Sequence, residues 1–265
     1  MFLNRIKHRF AKIKEEGEVG LLLFLTAGFP DLETTEKMIP ALIDAGADGI
    51  EIGVPFSDPL ADGATIQASS FHALEQGVSI RDCLDLVTRL RPKIPEAPLI
   101  LFGYYNPIFV YGLENFGRDA QLAGVDGLIV PDLPIEEAGP LNNECRSTGM
   151  DLIQLLTPTS TDERIRMVCD SASGFIYCVS VAGVTGAREA VSSEVSEMVK
   201  RIRNYTNLPM GVGFGVSTKE HLKSVSNYAD AAIVGSALIR AIGDSLGDEA
   251  VFKAVNFVKT LRGNI

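Results

Sequence analysis

The stretch Ala45-Gly46-Ala47-Asp48-Gly49-Ile50-Glu51-Ile52-Gly53-Val54 holds the end of a helical pattern, a tight glycine turn and the whole of an apolar strand. It is echoed at Ala123-Gly124-Val125-Asp126-Gly127-Leu128, and more faintly at Gly149-Met150-Asp151-Leu152 and Tyr228-Ala229-Asp230-Ala231. Repeated strand–helix units produce such echoes, although any α/β fold needs similar turns. Working outward, short apolar runs predict strands over 21–26, 49–54, 98–104, 127–131, 151–157, 174–180, 210–215 and 231–235. Most are continuously apolar, as strands covered on both faces should be. Helical periodicity fills the gaps over 31–45, 65–75, 80–90, 135–148, 161–171, 195–205 and 249–261. Parallel units of this kind, repeated along 265 residues, fit one closed sheet better than an open one. The expectation is an α/β protein, a single (β/α)8 TIM barrel spanning 1–265. Ahead of the first strand, Phe2, Leu3, Ile6, Phe10 and Ile13 share one face of an extra N-terminal helix.

Composition narrows the function classes. Hydrophobic residues make up 46% and charged residues 22%, ordinary for a globular protein. A net charge of −10 argues against general affinity for nucleic acid or an anionic membrane. No apolar run approaches the length of a membrane span, and the basic N-terminus lacks the apolar core of a signal peptide, so a cytoplasmic setting is expected. Cys83, Cys145, Cys169 and Cys178 form no C-x-x-C pair and read as reduced, buried thiols. His8, His72 and His221 lie far apart, without the setting of a zinc site or a Ser-His-Asp triad, so no metal is expected.

Strand alternation puts Ile50, Ile52 and Val54 on one face of the 49–54 strand and Gly49, Glu51 and Gly53 on the other. In a barrel the large apolar face meets the helices, so Glu51 points inward. A buried carboxylate is costly unless paired, protonated or functional. The structural alternative is an ion pair, yet none of the predicted strands contains Lys or Arg. Burial raises a carboxyl pKa, which suits proton exchange near neutral pH. The next segment, Pro55-Phe56-Ser57-Asp58-Pro59-Leu60-Ala61-Asp62-Gly63, lies at the C-terminal end of a barrel strand, where barrel active sites form. Asp62 is open to two readings, a cap on the helix that follows or a chemical group beside Glu51.

Glycine clusters follow the last three strands: Gly183-Val184-Thr185-Gly186, Gly211-Val212-Gly213-Phe214-Gly215, and Gly235-Ser236 before a short helix over 237–242. Barrels need tight turns anyway. Three clusters in consecutive late loops, the last opening a short extra helix, also describe a barrel phosphate site built of backbone N–H groups. No G-x-x-x-x-G-K-[ST] run is present, so this is not a nucleotide P-loop.

These residues resemble a known family. The run from Glu51 to Gly63 is similar to the signature of the tryptophan synthase alpha subunit. Leu25-Thr26-Ala27-Gly28-Phe29-Pro30, Tyr105-Asn106-Pro107-Ile108, Val130-Pro131-Asp132-Leu133-Pro134, Gly183-Val184-Thr185-Gly186 and Val212-Gly213-Phe214-Gly215 follow in the family's order. The resemblance implies a lyase that cleaves indole-3-glycerol phosphate to indole and D-glyceraldehyde 3-phosphate. It implies Glu51 as general acid/base, Asp62 as second carboxylate, Tyr177 near the substrate, and Thr185 as the loop residue that positions Asp62. Gly186, Gly215, Gly235 and Ser236 match the phosphate positions, and Pro55 and Asp58 lie in a loop facing a beta subunit. That partner would hold pyridoxal phosphate in an alpha2-beta2 tetramer, with no cofactor in this chain. Many members carry Arg at Val181 and Pro at Ala64. A stand-alone lyase releasing free indole, or a non-catalytic activator of a beta subunit, would share these motifs.

Overall fold

A computed structural model describes residues 4–179, 188–213 and 215–263. Helix α1 (Arg5–Glu16) precedes strand β1 (Gly20–Thr26), followed by α2 (Leu32–Asp44) and β2 (Gly49–Gly53). Then come α3 (Ala64–Glu75), α4 (Ile80–Leu90), β3 (Leu99–Phe102), α5 (Tyr105–Tyr111), α6 (Leu113–Ala123) and β4 (Gly127–Ile129). The middle of the chain adds α7 (Gly139–Thr148), β5 (Asp151–Leu156), α8 (Asp162–Ser171), β6 (Ile176–Val179) and α9 (Arg188–Ile202). It ends with β7 (Met210–Gly213), α10 (Lys219–Val225), β8 (Ala231–Val234), α11 (Ser236–Ile242) and α12 (Gly247–Arg262). The strands pair in sequence order, all parallel, and β8 closes on β1. The expected TIM barrel, its N-terminal helix and the short helix after the last strand are all present. Among the described residues, no helix is long and apolar enough to cross a membrane, and the four cysteines are buried and free.

Helix α1 plugs the end of the barrel opposite the strand C-termini. Its Ile6, Phe10 and Ile13 join Leu22, Ile100, Ile129, Ile153 and Phe175 in an interior cluster separate from the layer between strands and outer helices. Burying each of those three side chains is worth roughly 1.5–3 kcal/mol. Polar tethers fix the plug's orientation. Arg5 donates to Asp126 at 2.9 Å, Arg9 pairs with Asp48, and Asn4 donates to Asp151 at 3.1 Å.

The sequence echoes acquire a physical meaning here. Asp48 accepts the Leu21 N–H at 2.6 Å, Asp126 the Leu99 N–H at 2.8 Å, and Asp230 the Met210 N–H at 2.7 Å. Each acid therefore ties the start of its own strand to the start of the preceding one. Gly46 and Gly124 precede the first two with φ of +113° and +89°, a region that side chains with a Cβ rarely adopt.

Some elements differ from expectation. The helix expected over 135–148 begins only at Gly139. The bonds Glu137 N–H to Pro134 O and Ala138 N–H to Ile135 O make turns, and Pro140 sets the first helical residues. Helix α9 runs from Arg188 to Ile202 rather than over 195–205, the residues after Ile202 forming turns. The α5–α6 pair was not anticipated. Pro107 falls within α5, and Gly112 at φ +89° both ends α5 and begins α6, so the helical period breaks midway. Helix α10 was likewise unanticipated.

Candidate active site

Glu51 points into the barrel, in register with Phe24 on β1 and Ile100 on β3. It is 0% exposed. Neither carboxylate oxygen has a hydrogen-bond partner among the described residues, and none of them realises the ion-pair alternative. Burial pushes its pKa up to about 8, so the side chain is mostly protonated at neutral pH. Of the two glycines beside it, Gly49 makes room for Leu22 and Pro98, and Gly53 for an aromatic ring. A Cβ at Gly53 would come within 2.5 Å of the Phe24 ring. That ring therefore lies over Gly53, on the side of Glu51 that faces the strand C-termini.

Asp62 sits on the loop joining β2 to α3. Gly63 is the N-cap of α3 and no side chain caps the helix, so Asp62 is not spent on capping. Its Oδ2 accepts from the Tyr104 hydroxyl at 2.9 Å. Partial burial raises its pKa, and the Tyr104 hydrogen bond works against that rise. Tyr104 is held from two sides. Its ring stacks on Phe56, with centroids 5.0 Å apart and planes at 24°, and its hydroxyl accepts the Ala61 N–H at 3.0 Å. Gln67 donates to the Asp62 carbonyl at 3.0 Å, closing the loop against α3.

Asp62 opens on a cavity of about 710 Å³ at the strand C-termini. Tyr177, Gly213, Gly215, Gly235 and Ser236 also line it, as do Phe24 and Phe102. Phe24 meets Phe102 edge-on at 5.4 Å, and Phe102 meets Tyr177 edge-on at 6.2 Å. These rings form an apolar wall suited to a flat aromatic group. The Tyr177 hydroxyl is held well above its ordinary pKa by burial first, then by the charges of Glu51 and Asp62, which places it within reach of both fields. Glu51 itself does not reach the cavity surface. It was expected to share the cavity with Asp62, but with the Phe24 ring over Gly53 it lies just beneath the floor.

The remaining expected residues divide as follows. Gly235 is the N-cap of α11 and Ser236 its first residue, placing that helix start at the cavity edge. Thr185 and Gly186, with Val181, lie outside the described residues. Pro55 is buried, whereas Asp58 is exposed and accepts from the Ser57 hydroxyl at 2.6 Å. Of the two residues expected to face a partner, only Asp58 therefore presents its side chain outward. Ala64 is the first residue of α3, a position where Pro or Ala fits equally well. Sequence reasoning missed Tyr104, Phe24, Phe102 and Arg240. The strand pattern could have found the two phenylalanines, since Phe24 shares its inward parity with Leu22.

Comparison with known proteins agrees with the geometry. The family model for the tryptophan synthase alpha chain matches residues 10–262. The tryptophan synthase alpha chain of Geobacter sp. (strain M21) is 51% identical over 263 residues, covering 99% of this chain and 98% of its own. That of Roseiflexus castenholzii is 48% identical over 261 residues, covering 98% and 100%. The crystal structure of tryptophan synthase subunit alpha from Legionella pneumophila superposes with a TM-score of 0.91 at 34% identity, over 100% of both chains. A chain of tryptophan synthase from M. tuberculosis, in an aminoacrylate-bound form, superposes with a TM-score of 0.88 at 31% identity, over 97% of this chain and 98% of its own. The chain belongs to the tryptophan synthase alpha chain family, and it is a lyase performing the alpha reaction of tryptophan biosynthesis.

Proposed function

We propose that Glu51 and Asp62 divide the proton transfers of the alpha reaction, the retro-aldol cleavage of indole-3-glycerol phosphate to indole and D-glyceraldehyde 3-phosphate. The observation that carries this is a wholly buried Glu51 without a partner among the described residues, pointing inward beside a cavity walled by Phe24, Phe102 and Tyr177. A carboxyl with pKa about 8 can give a proton to C3 of the indole at neutral pH. Protonation at C3 leaves an indolenine-like cation. The Glu51 carboxylate so formed then takes the side-chain hydroxyl proton as the carbon–carbon bond breaks, and it is ready for the next turnover. Asp62 accepts the indole N–H and stabilises the positive charge that builds there. Two acids in unlike surroundings suit these unlike tasks. A turn of the Phe24 ring or of the Glu51 side chain brings the carboxyl into contact with substrate.

Backbone N–H groups at Gly215, Gly235 and Ser236, together with Gly186, would receive the phosphate. The first N–H groups of a helix lack intrahelical acceptors and carry the positive end of its dipole. Tyr177 would contact the substrate, and Thr185 would steady Asp62. A beta subunit carrying pyridoxal phosphate would complete an alpha2-beta2 tetramer, docking on the loop that holds Pro55 and Asp58. Leu60, 91% exposed on that loop, and Phe109 and Val110, 62% and 76% exposed on α5, give the same end of the barrel an apolar surface. The setting of this reaction would be the cytoplasm.

The test is a lyase assay on indole-3-glycerol phosphate, with and without beta subunit. Glu51→Gln is expected to abolish cleavage while leaving the circular dichroism spectrum and beta binding intact. Near-normal turnover by that variant would remove Glu51 from the mechanism. Fast turnover unaffected by beta subunit would favour a stand-alone lyase.

A further inference from the structure

We infer that Arg240 is a charge-specificity residue for the phosphate end of the substrate, an inference that rests on the phosphate reading of Gly215, Gly235 and Ser236. Arg240 lies one helical turn after Ser236 on α11, so the two share a helix face, and both line the cavity. Its guanidinium reaches across to α3 and donates to the Thr65 hydroxyl at 3.4 Å, a long bond to a neutral group. The other cation among the described residues of the cavity wall, Arg164, donates to Glu136 at 2.7 Å and has its charge matched. Among the described residues, Arg240 forms no ion pair. A guanidinium has five N–H donors, and one weak bond leaves most of them for an anion. The surroundings call for such a charge. The protein carries a net charge of −10 and the cavity presents Asp62, so a phosphate ester meets repulsion that backbone dipoles alone must overcome. An exposed cation beside the helix start opposes that repulsion and favours phosphate esters over their dephosphorylated forms.

Inorganic phosphate, as a competitor in the lyase assay, separates the possibilities. Arg240→Gln is expected to raise both the phosphate Ki and the substrate KM about tenfold, the loss falling on KM rather than kcat. Arg240→Lys should recover most of it, and added salt should depress kcat/KM less in Arg240→Gln than in the parent protein. Thr65→Val should leave the phosphate Ki where it is. If Thr65→Val reproduces the rise, Arg240 acts by holding α3 and the inference fails. If Ser236→Pro, which removes a backbone N–H at a first helical position where proline is tolerated, weakens phosphate competition and Arg240→Gln does not, the phosphate reading stands and the role of Arg240 falls. If phosphate does not compete in the parent protein, both fall together.

Discussion

The Tyr104 hydroxyl donates to Oδ2 of Asp62 at 2.9 Å while accepting the Ala61 N–H at 3.0 Å, so one phenol fixes both the acid and the backbone beside it. The Phe56 ring stacked on Tyr104 sets the angle of that donor. In Tyr104→Phe the stack survives and the hydrogen bond does not. The bond is what lowers the Asp62 pKa against the effect of burial, so its loss moves that pKa further up. If Asp62 must be ionised to accept the indole N–H, the acid limb of the kcat/KM profile shifts to higher pH, and loss of one positioning hydrogen bond lowers the plateau by up to about tenfold. A pH–rate profile of the variant checks this. An unmoved acid limb would mean that the ionisation of Asp62 does not govern the rate.

Glu51 links the site to stability. Its ordinary carboxyl value near 4.5 rises to about 8 in the folded chain, so the native state holds a proton that the unfolded state has released. The stabilisation is fully present below pH 4.5 and is lost as pH climbs through 8, on the order of a few kcal/mol over the whole range. Glu51→Gln cannot titrate. Its unfolding free energy relative to the parent protein should therefore increase steadily from pH 5 to pH 8.5 in urea titrations. Parallel pH curves for the two proteins would contradict a proton-holding Glu51.

How far the sequence could be read depends on the range of the interaction involved. Strands covered on both faces announce themselves as apolar runs, and Glu51 stood out because its alternation pointed an acid inward. Both are local patterns. Asp62 was ambiguous, because an acid before a helix fits a cap as well as a site, and only the backbone at Gly63 separates the two. Its partner Tyr104 is 42 residues away on the far side of a strand crossover, with no local signal to connect them. Arg240 was hidden for the same reason, since an Arg in the last turn of a helix usually reads as a dipole partner. The acidic echoes at Asp48 and Asp126 were visible as a pattern, but their purpose depends on α1 and on helix ends far along the chain.

Gly213 on β7 tests how tightly the aromatic wall is set. A Cβ there would stand 2.6 Å from both Cε1 and the hydroxyl oxygen of Tyr177. Rigid ring and strand backbone cannot both stay, so Gly213→Ala should displace the phenol from the cavity wall. Overpacking of this kind costs about 1–3 kcal/mol of stability, and loss of the positioned ring should lower kcat/KM about tenfold or more. Thermal melts and steady-state kinetics on one preparation separate the two effects. Parent-like kinetics would show that the Tyr177 ring has no fixed place in substrate binding.

The opposite end of the barrel permits a contrasting experiment. Asp126 is buried and accepts from Arg5 at 2.9 Å, Arg91 at 2.7 Å and the Leu99 N–H at 2.8 Å. Arg5→Ala removes one partner from a carboxylate that keeps two, and α1 keeps its apolar face in the barrel, so the cost should be about 1 kcal/mol. Asp126→Ala instead takes the counter-charge from a half-buried Arg91, which keeps the carbonyls of Gly124, Ile94 and Ala97, and leaves a strand N–H unpaired, so the cost should approach the roughly 3–5 kcal/mol of a broken buried pair. The ordering is the prediction, with Asp126→Ala far more damaging than Arg5→Ala in urea unfolding. Cleavage by the folded fraction should stay near the parent rate in both, because these groups lie at the strand N-termini and the cavity lies at the C-termini. Equal destabilisation by the two variants would mean that the repeated acids tether α1 and do little to join neighbouring strands.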